Sequence, residues 1–220
     1  MVTKTPAATR LDADTPLPDW LDDRGRIKLM TAAEIDRTPW DSRRLWCHHH
    51  ARYGLPTAEL VEWLHGVIRG RRAIEIGSGS GDLAYHLKIK GTDNKCQTRP
   101  DVALYYTMSG QPVIRYPDWV EKKDALAAIE KYNPQVVIGS WITHWIDPRL
   151  PIPKGGGNMY GVKEDLLLDS GVTYVMIGNM ETHRYKPILK RPHEEHALPF
   201  LRSRAQDPAQ DRVLIWPGRR

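Results

Sequence analysis

The apolar run Ala73-Ile74-Glu75-Ile76 gives way to glycines at 77, 79 and 81, and a helical pattern from Asp82 to Lys88 starts at once. A strand, a bare-backbone turn and a helix in that order confine this stretch to a βα unit. Without Cβ atoms the turn can adopt positive φ and let a ligand come close to the backbone. Free N–H groups at the helix start add donors for a carboxylate or phosphate.

The same alternation continues on both sides. The segment PTAELVEWLHGVIRG places Leu60, Leu64, Val67 and Ile68 on one helical face, with Pro56 in a first turn and Gly70 as a stop. IKGTDN reads as a second strand and PVIRYP as a third, separated by residues 95–111. KKDALAAIEKYNP is helical up to Asn133-Pro134, and QVVIGS follows as a fourth strand. KEDLLLDSG gives a short helix and VTYVMIG a buried fifth strand. EEHALPFLRSRA is expected to be helical despite Pro199, and RVLIWPG closes the chain as a strand. The Pro- and Gly-rich stretch 146–161 is expected to be an exposed loop at the rim of a site.

Strands alternating with helices through short connections predict a Rossmann-like αβα sandwich with a mostly parallel central sheet. The 220 residues, 40% of them apolar, suffice for one sizeable core. Three parts are expected: a flexible arm over 1–19, N-terminal helices over 20–70 packed on the core, and the main domain over 71–220. The N-terminal helices are expected across a sheet edge or over the ligand mouth.

Spacing separates two cofactors. A dinucleotide fingerprint requires Gly-x-Gly-x-x-Gly, but its third position is Asp82, whose charge would repel a pyrophosphate. A nicotinamide-dependent oxidoreductase is therefore the weakest reading. The pattern Glu75-x-Gly77-x-Gly79-x-Gly81 resembles motif I of the class I S-adenosylmethionine-dependent methyltransferases, with supportive alternation over roughly residues 71–178. That resemblance implies that Gly77, Ser78, Gly79 and Gly81 wrap the methionine and ribose portions of S-adenosyl-L-methionine. It implies further that Glu75 orients the methionyl end. Asp93, eighteen residues on, would accept the ribose hydroxyls, and Asp118 and Trp119 would receive the adenine amino group and ring. The tail after strand five is short and Pro-rich, so the family's terminal strand hairpin is expected to be incomplete or rearranged.

Methyl transfer from a sulfonium is an in-line displacement, so the protein aligns the methyl acceptor, excludes water and takes a proton where needed. Residues for the acceptor are expected at the end of strand four, which reads GSWITHWIDP. Ser140 is assigned to the cofactor side of that cluster, Trp141 and Trp145 to substrate contacts, and His144 and Asp147 to catalysis, with His144 as the general base. An inward-packed turn of Trp141 and Trp145 is the competing reading. Glu181 and His183, after strand five, are further substrate contacts.

Other classes fall away. No Asp/Asn-Pro-Pro-Tyr run follows strand four, as amino methylation of DNA bases would ask. Neither Cys47 nor Cys96 follows a proline, as methylation at cytosine C5 would ask. The CHHH cluster at 47–50 brings at most Cys47 and His50 to one helical face, and HEEH at 193–196 lacks the spacing of a zinc protease helix, so no metal site is expected. Two unpaired cysteines, no secretory h-region and no run near about 20 apolar residues predict a cytoplasmic protein without membrane contact. The expected function is methyl transfer to an O or N acceptor on a small molecule, protein or RNA. The alternative is a catalytically silent protein of the same fold that engages nucleic acid through its basic C-terminal region, with nine Lys or Arg against four acids after residue 182.

Overall fold

The computed structural model describes residues 17–147, 149 and 157–219. The expected arm over 1–19 lies mostly outside them, as does the middle of the 146–161 stretch.

Seven strands make one sheet: β1 Ala73–Ile76, β2 Lys90–Asp93, β3 Glu121–Lys122, β4 Val136–Ser140, β5 Thr173–Asn179, β6 Glu194–His196 and β7 Asp211–Trp216. They lie in the order β3-β2-β1-β4-β5-β7-β6. The first five are parallel, and β7 runs antiparallel between β5 and β6. This is a mixed, Rossmann-like αβα sandwich.

Strand periodicity of two sorts the side chains onto two cores. Val136, Ile138, Val175, Ile177, Val213 and Ile215 meet helices α3 (Ala58–Ile68) and α4 (Asp82–Leu87) on one face. Ile74, Ile76, Val137, Tyr174, Met176 and Leu214 meet α6 (Ala125–Tyr132) and α7 (Glu164–Asp169) on the other. Thr57 caps α3 by accepting from Leu60 N–H, and Arg69 ends it in the left-handed region, so the helix closes at Gly70 as its pattern predicts. Upstream, α1 (Ala32–Asp36) carries a Thr31–Glu34 capping box, and α2 (Trp40–His49) follows it. Trp20, Ile27, Ile35, Trp46, Cys47 and Leu55 form a small core of their own there.

Two expectations about elements are corrected. The third strand is β3, not the PVIRYP segment. Pro112 and Pro117 deprive that segment of ladder donors, and Ile114 N–H is spent on the Gln97 side chain. The EEHALPFLRSRA segment is not helical: Glu194–His196 pairs with β7 and Arg202–Ser203 pairs with Gly54–Leu55, while Pro199 interrupts any helix. The terminal antiparallel hairpin is thus formed, against the expectation from the short tail. Residues 95–111, read only as a spacer, hold helix α5 (Pro100–Met108). Among the described residues no helix is long and apolar enough to cross a membrane.

Candidate functional site

At the carboxyl ends of β1, β2 and β4 the chain encloses one open cleft. Gly77, Gly79 and Gly81 have φ of +55°, +55° and +74°, so the turn takes the conformation that absent side chains permit. Ser78 N–H donates to Thr92 C=O at 3.0 Å and Gly81 N–H to Ser78 C=O at 2.8 Å, which ties the turn to β2 and closes it on itself.

Asp93 ends β2 and is 7% exposed. Its Oδ2 accepts from Gly79 N–H at 2.9 Å and its Oδ1 from Lys95 N–H at 2.6 Å. Burial raises its pKa, and those two N–H groups oppose the rise. Each carboxylate oxygen has a second lone pair, and the Tyr116 side chain stands beside the carboxylate. Glu75 lies under α4 and accepts from Ala84 N–H at 2.9 Å. Burial, reinforced by the charges of Asp82 and Asp93, pushes its pKa up to about 8.

Glu75, Gly77, Ser78, Gly79, Asp93 and Ser140 line this cleft together, and so does Trp141. Gly81 does not. A Cβ there would come within 2.6 Å of Val120 and 2.8 Å of the Trp119 indole, so Gly81 makes room for packing beneath the turn. Trp119 belongs to that packing, with Arg26 6.0 Å from its ring, and Asp118 is exposed beside it; neither reaches the cleft. Ile114 and Tyr116, a few residues earlier, occupy the wall instead.

On the methyl-acceptor side the expected cluster divides. His144 is buried against Gly157, outside the cleft lining, and both burial and the Lys186 charge lower its pKa. Asp147 pairs with Arg149 at 2.6 Å, and Trp145 lies under the Lys163 ammonium at 4.7 Å. Glu181 is exposed in the short helix α8 (Met180–His183). His183 is buried behind Trp141, edge to ring at 5.4 Å, with its pKa lowered to about 4 by burial and by Lys186. None of these five lines the cleft.

The N-terminal segment supplies what the sequence did not assign. Arg52, Tyr53 and Gly54 form one wall, and Tyr106 of α5 another. Asp211, the first residue of β7, lies at the far end. Tyr53 stacks on Trp141 with centroids 6.3 Å apart and 29° between planes. A Trp-rich segment of short elements carries no spacing that would have nominated these residues.

Among the described residues no group of three or more His, Cys, Asp or Glu is arranged to hold a metal ion. No protein-family model matches the chain. No curated protein matches it either.

Proposed function

We propose that this chain is an S-adenosylmethionine-dependent methyltransferase acting on an oxygen or nitrogen acceptor. One observation carries the reading: the glycine turn and the Asp93 carboxylate are hydrogen-bonded to each other on the wall of a single cleft, through Gly79 N–H. The antiparallel hairpin at the sheet's end and the strand–turn–helix around Glu75 support the same family resemblance.

The residues present fit the cofactor chemically. Asp93 would accept from the ribose hydroxyls, and Glu75, which also lines the cleft, would hold the methionyl end. Ile114, Tyr116 and Gln97 offer an apolar wall with one amide for an adenine ring, a role moved here from Asp118 and Trp119. When bound, S-adenosylmethionine supplies an electrophilic methyl on a sulfonium. The chain's own contribution is to align the methyl acceptor and keep water out.

Calorimetric titration with S-adenosylmethionine and S-adenosylhomocysteine tests cofactor binding. Saturable binding that falls at least about tenfold in Asp93→Ala is expected, since hydrogen bonds to a charged group are worth about 1.5–3 kcal/mol. Absence of saturable binding to wild type would refute the reading. Transfer of labelled methyl into cell-extract fractions then identifies the acceptor class.

A silent, ligand-binding member of the fold is the second reading, favoured by the position of His144 and Asp147 outside the cleft. Binding without transfer would select it. Nucleic-acid engagement through the tail draws less support, because Arg191, Arg202 and Arg212 are paired with Asp165 and Asp169, Asp36, and Glu195.

A further inference from the structure

Helix α5 walls one side of the cleft through Tyr106, yet little apolar burial holds it there. Val102 is its one buried residue, against four in α3. Leu104, Tyr105 and Met108 are 60%, 68% and 79% exposed, so most of its apolar surface gains nothing from packing among the described residues. A helix of nine residues with a single buried anchor is marginal on its own hydrogen bonds.

Its ends carry the restraint. Gln97 Oε1 accepts from Ile114 N–H at 2.9 Å, which clips together the two stems of the excursion over 98–113. Beyond that clip, the Tyr160 hydroxyl donates to Asp101 Oδ2 at 3.1 Å, and the Tyr160 ring lies 5.0 Å from the Arg99 guanidinium. Tyr160 is itself fixed: Asn94 Nδ2–H donates to its C=O at 2.8 Å, and its own N–H donates to Asn158 Oδ1 at 2.8 Å. At the other end His48 Nε2–H donates to Gly110 C=O at 2.8 Å, and Arg204 donates to the Gln111 side chain at 3.0 Å. The Tyr160–Asp101 and His48–Gly110 bonds are both exposed, so water competes for them. The backbone can pivot at either side. Arg99 is extended before Pro100, and Gly110 has φ of +63° with nothing within 4 Å of where a Cβ would sit.

We propose that α5 is a hinged lid on the cleft, swinging outward about Arg99 and Gly110 to admit a ligand and latched at its ends by Tyr160 and His48. Tyr106, on its inner side next to Tyr53 and Gln97, is the side chain that a bound ligand meets, so occupancy favours the latched position. Opening of the empty cleft stands without any assignment of the ligand; its suppression by S-adenosylhomocysteine rests on the methyltransferase reading.

Hydrogen–deuterium exchange with mass spectrometry on the full chain tests this. Relative to their intrinsic rates, the unliganded wild-type amides over 104–109 are expected to exchange about tenfold or more faster than those over 62–68 in α3. Tyr160→Phe removes one latch and keeps the ring, and His48→Ala removes the other. Each should speed α5 exchange about three- to tenfold and leave α3 unchanged. Saturating S-adenosylhomocysteine should slow α5 exchange about tenfold or more. Wild-type α5 as protected as α3, exchange unmoved by both variants, or exchange unmoved by bound S-adenosylhomocysteine would each overturn the lid. Calorimetry on the same samples tells the two failures apart: absence of S-adenosylhomocysteine binding defeats the cofactor reading alone, and the wild-type and latch-variant comparisons then decide the lid.

Discussion

Arg52 donates its Nε–H to Asp82 Oδ2 at 2.8 Å, with both side chains buried. Asp82 is the first residue of α4, directly after the glycine turn, and it also accepts from Ile27 N–H at 3.0 Å and Ser80 Oγ–H at 2.6 Å. The rest of the Arg52 guanidinium donates to the His50 and Gly25 carbonyls. One buried ion pair therefore fastens the N-terminal segment to the turn.

Arg52→Met should be strongly destabilising, because it leaves Asp82 buried and short of its cation. Breaking a buried pair from one side typically costs about 3–5 kcal/mol. Urea unfolding of the variant is expected to show a loss in that range, and a loss under about 1 kcal/mol would mean that water reaches the carboxylate. The double variant Arg52→Met/Asp82→Asn should recover part of the loss.

The glycines of the turn should not tolerate alanine equally. Both Gly77 and Gly79 have φ of +55°, but a Cβ at Gly77 would sit 2.6 Å from Ile142 Cγ2, whereas one at Gly79 would sit 3.3 Å from Ile114 Cδ1. Left-handed strain adds about 1–2 kcal/mol at either site. Gly77→Ala is therefore expected to lower the unfolding free energy by more than Gly79→Ala, by about 1 kcal/mol or more, and Gly77→Ala/Ile142→Val should narrow the gap. Equal losses in the two single variants would contradict the packing at Gly77.

Lys186 and Glu164 pair at 2.5 Å on the α6–α7 side of the sheet, 1% and 2% exposed, and Tyr174 OH donates to the second Glu164 oxygen at 2.8 Å. Burial lowers the Lys186 pKa, with Glu164 opposing. Lys186→Met should cost about 3–5 kcal/mol by stranding Glu164, and Lys186→Met/Glu164→Gln should be closer to wild type. A double-mutant cycle by chemical denaturation checks this, additivity being the outcome that counts against a coupled pair.

The layered body was legible where one physical signal dominated. The helix over Ala58–Ile68 has an apolar stripe and caps at both ends, and β5 is apolar along nearly its whole length, so local pattern and burial agree. β3 escaped because it spans only two residues, and PVIRYP looked like a strand by composition while its prolines forbade the ladder. The edge strand Glu194–His196 escaped because its residues are polar; its pairing comes from β7, with His196 opposite Val213, Glu195 opposite Leu214 and Glu194 opposite Ile215, not from its own sequence. At the site, the glycine spacing led to Glu75, Gly77, Gly79 and Asp93. His144 looked catalytic by its place in the chain, yet the chain leaves the sheet after Ser140, and His144 pairs beside Gly157, within reach of the Lys186 charge and off the cleft wall. Asp211 and Tyr53 carry no motif; only the tertiary pairing of Gly54–Leu55 with Arg202–Ser203 brings them to one cleft.

Two buried groups set opposite slopes on stability against pH. Glu75, pushed up to about 8 from an ordinary 4.5, stays protonated in the folded chain where the unfolded chain has lost its proton, so it lowers stability as pH rises from 4.5 to 8. His183, lowered from 6.5 to about 4, stays neutral where the unfolded chain takes up a proton, so stability falls as pH drops from 6.5 to 4. Between 4.5 and 6.5 the two oppose each other, and above 6.5 Glu75 alone of the pair acts. Unfolding free energy from urea titrations is therefore expected to decline between pH 6.5 and 8, on the order of 1 kcal/mol per pH unit. Glu75→Gln keeps an oxygen for Ala84 N–H and has no proton to lose, so its profile should be flat there. A wild-type curve that is level or rising over that interval would mean that Glu75 is ionised beneath α4.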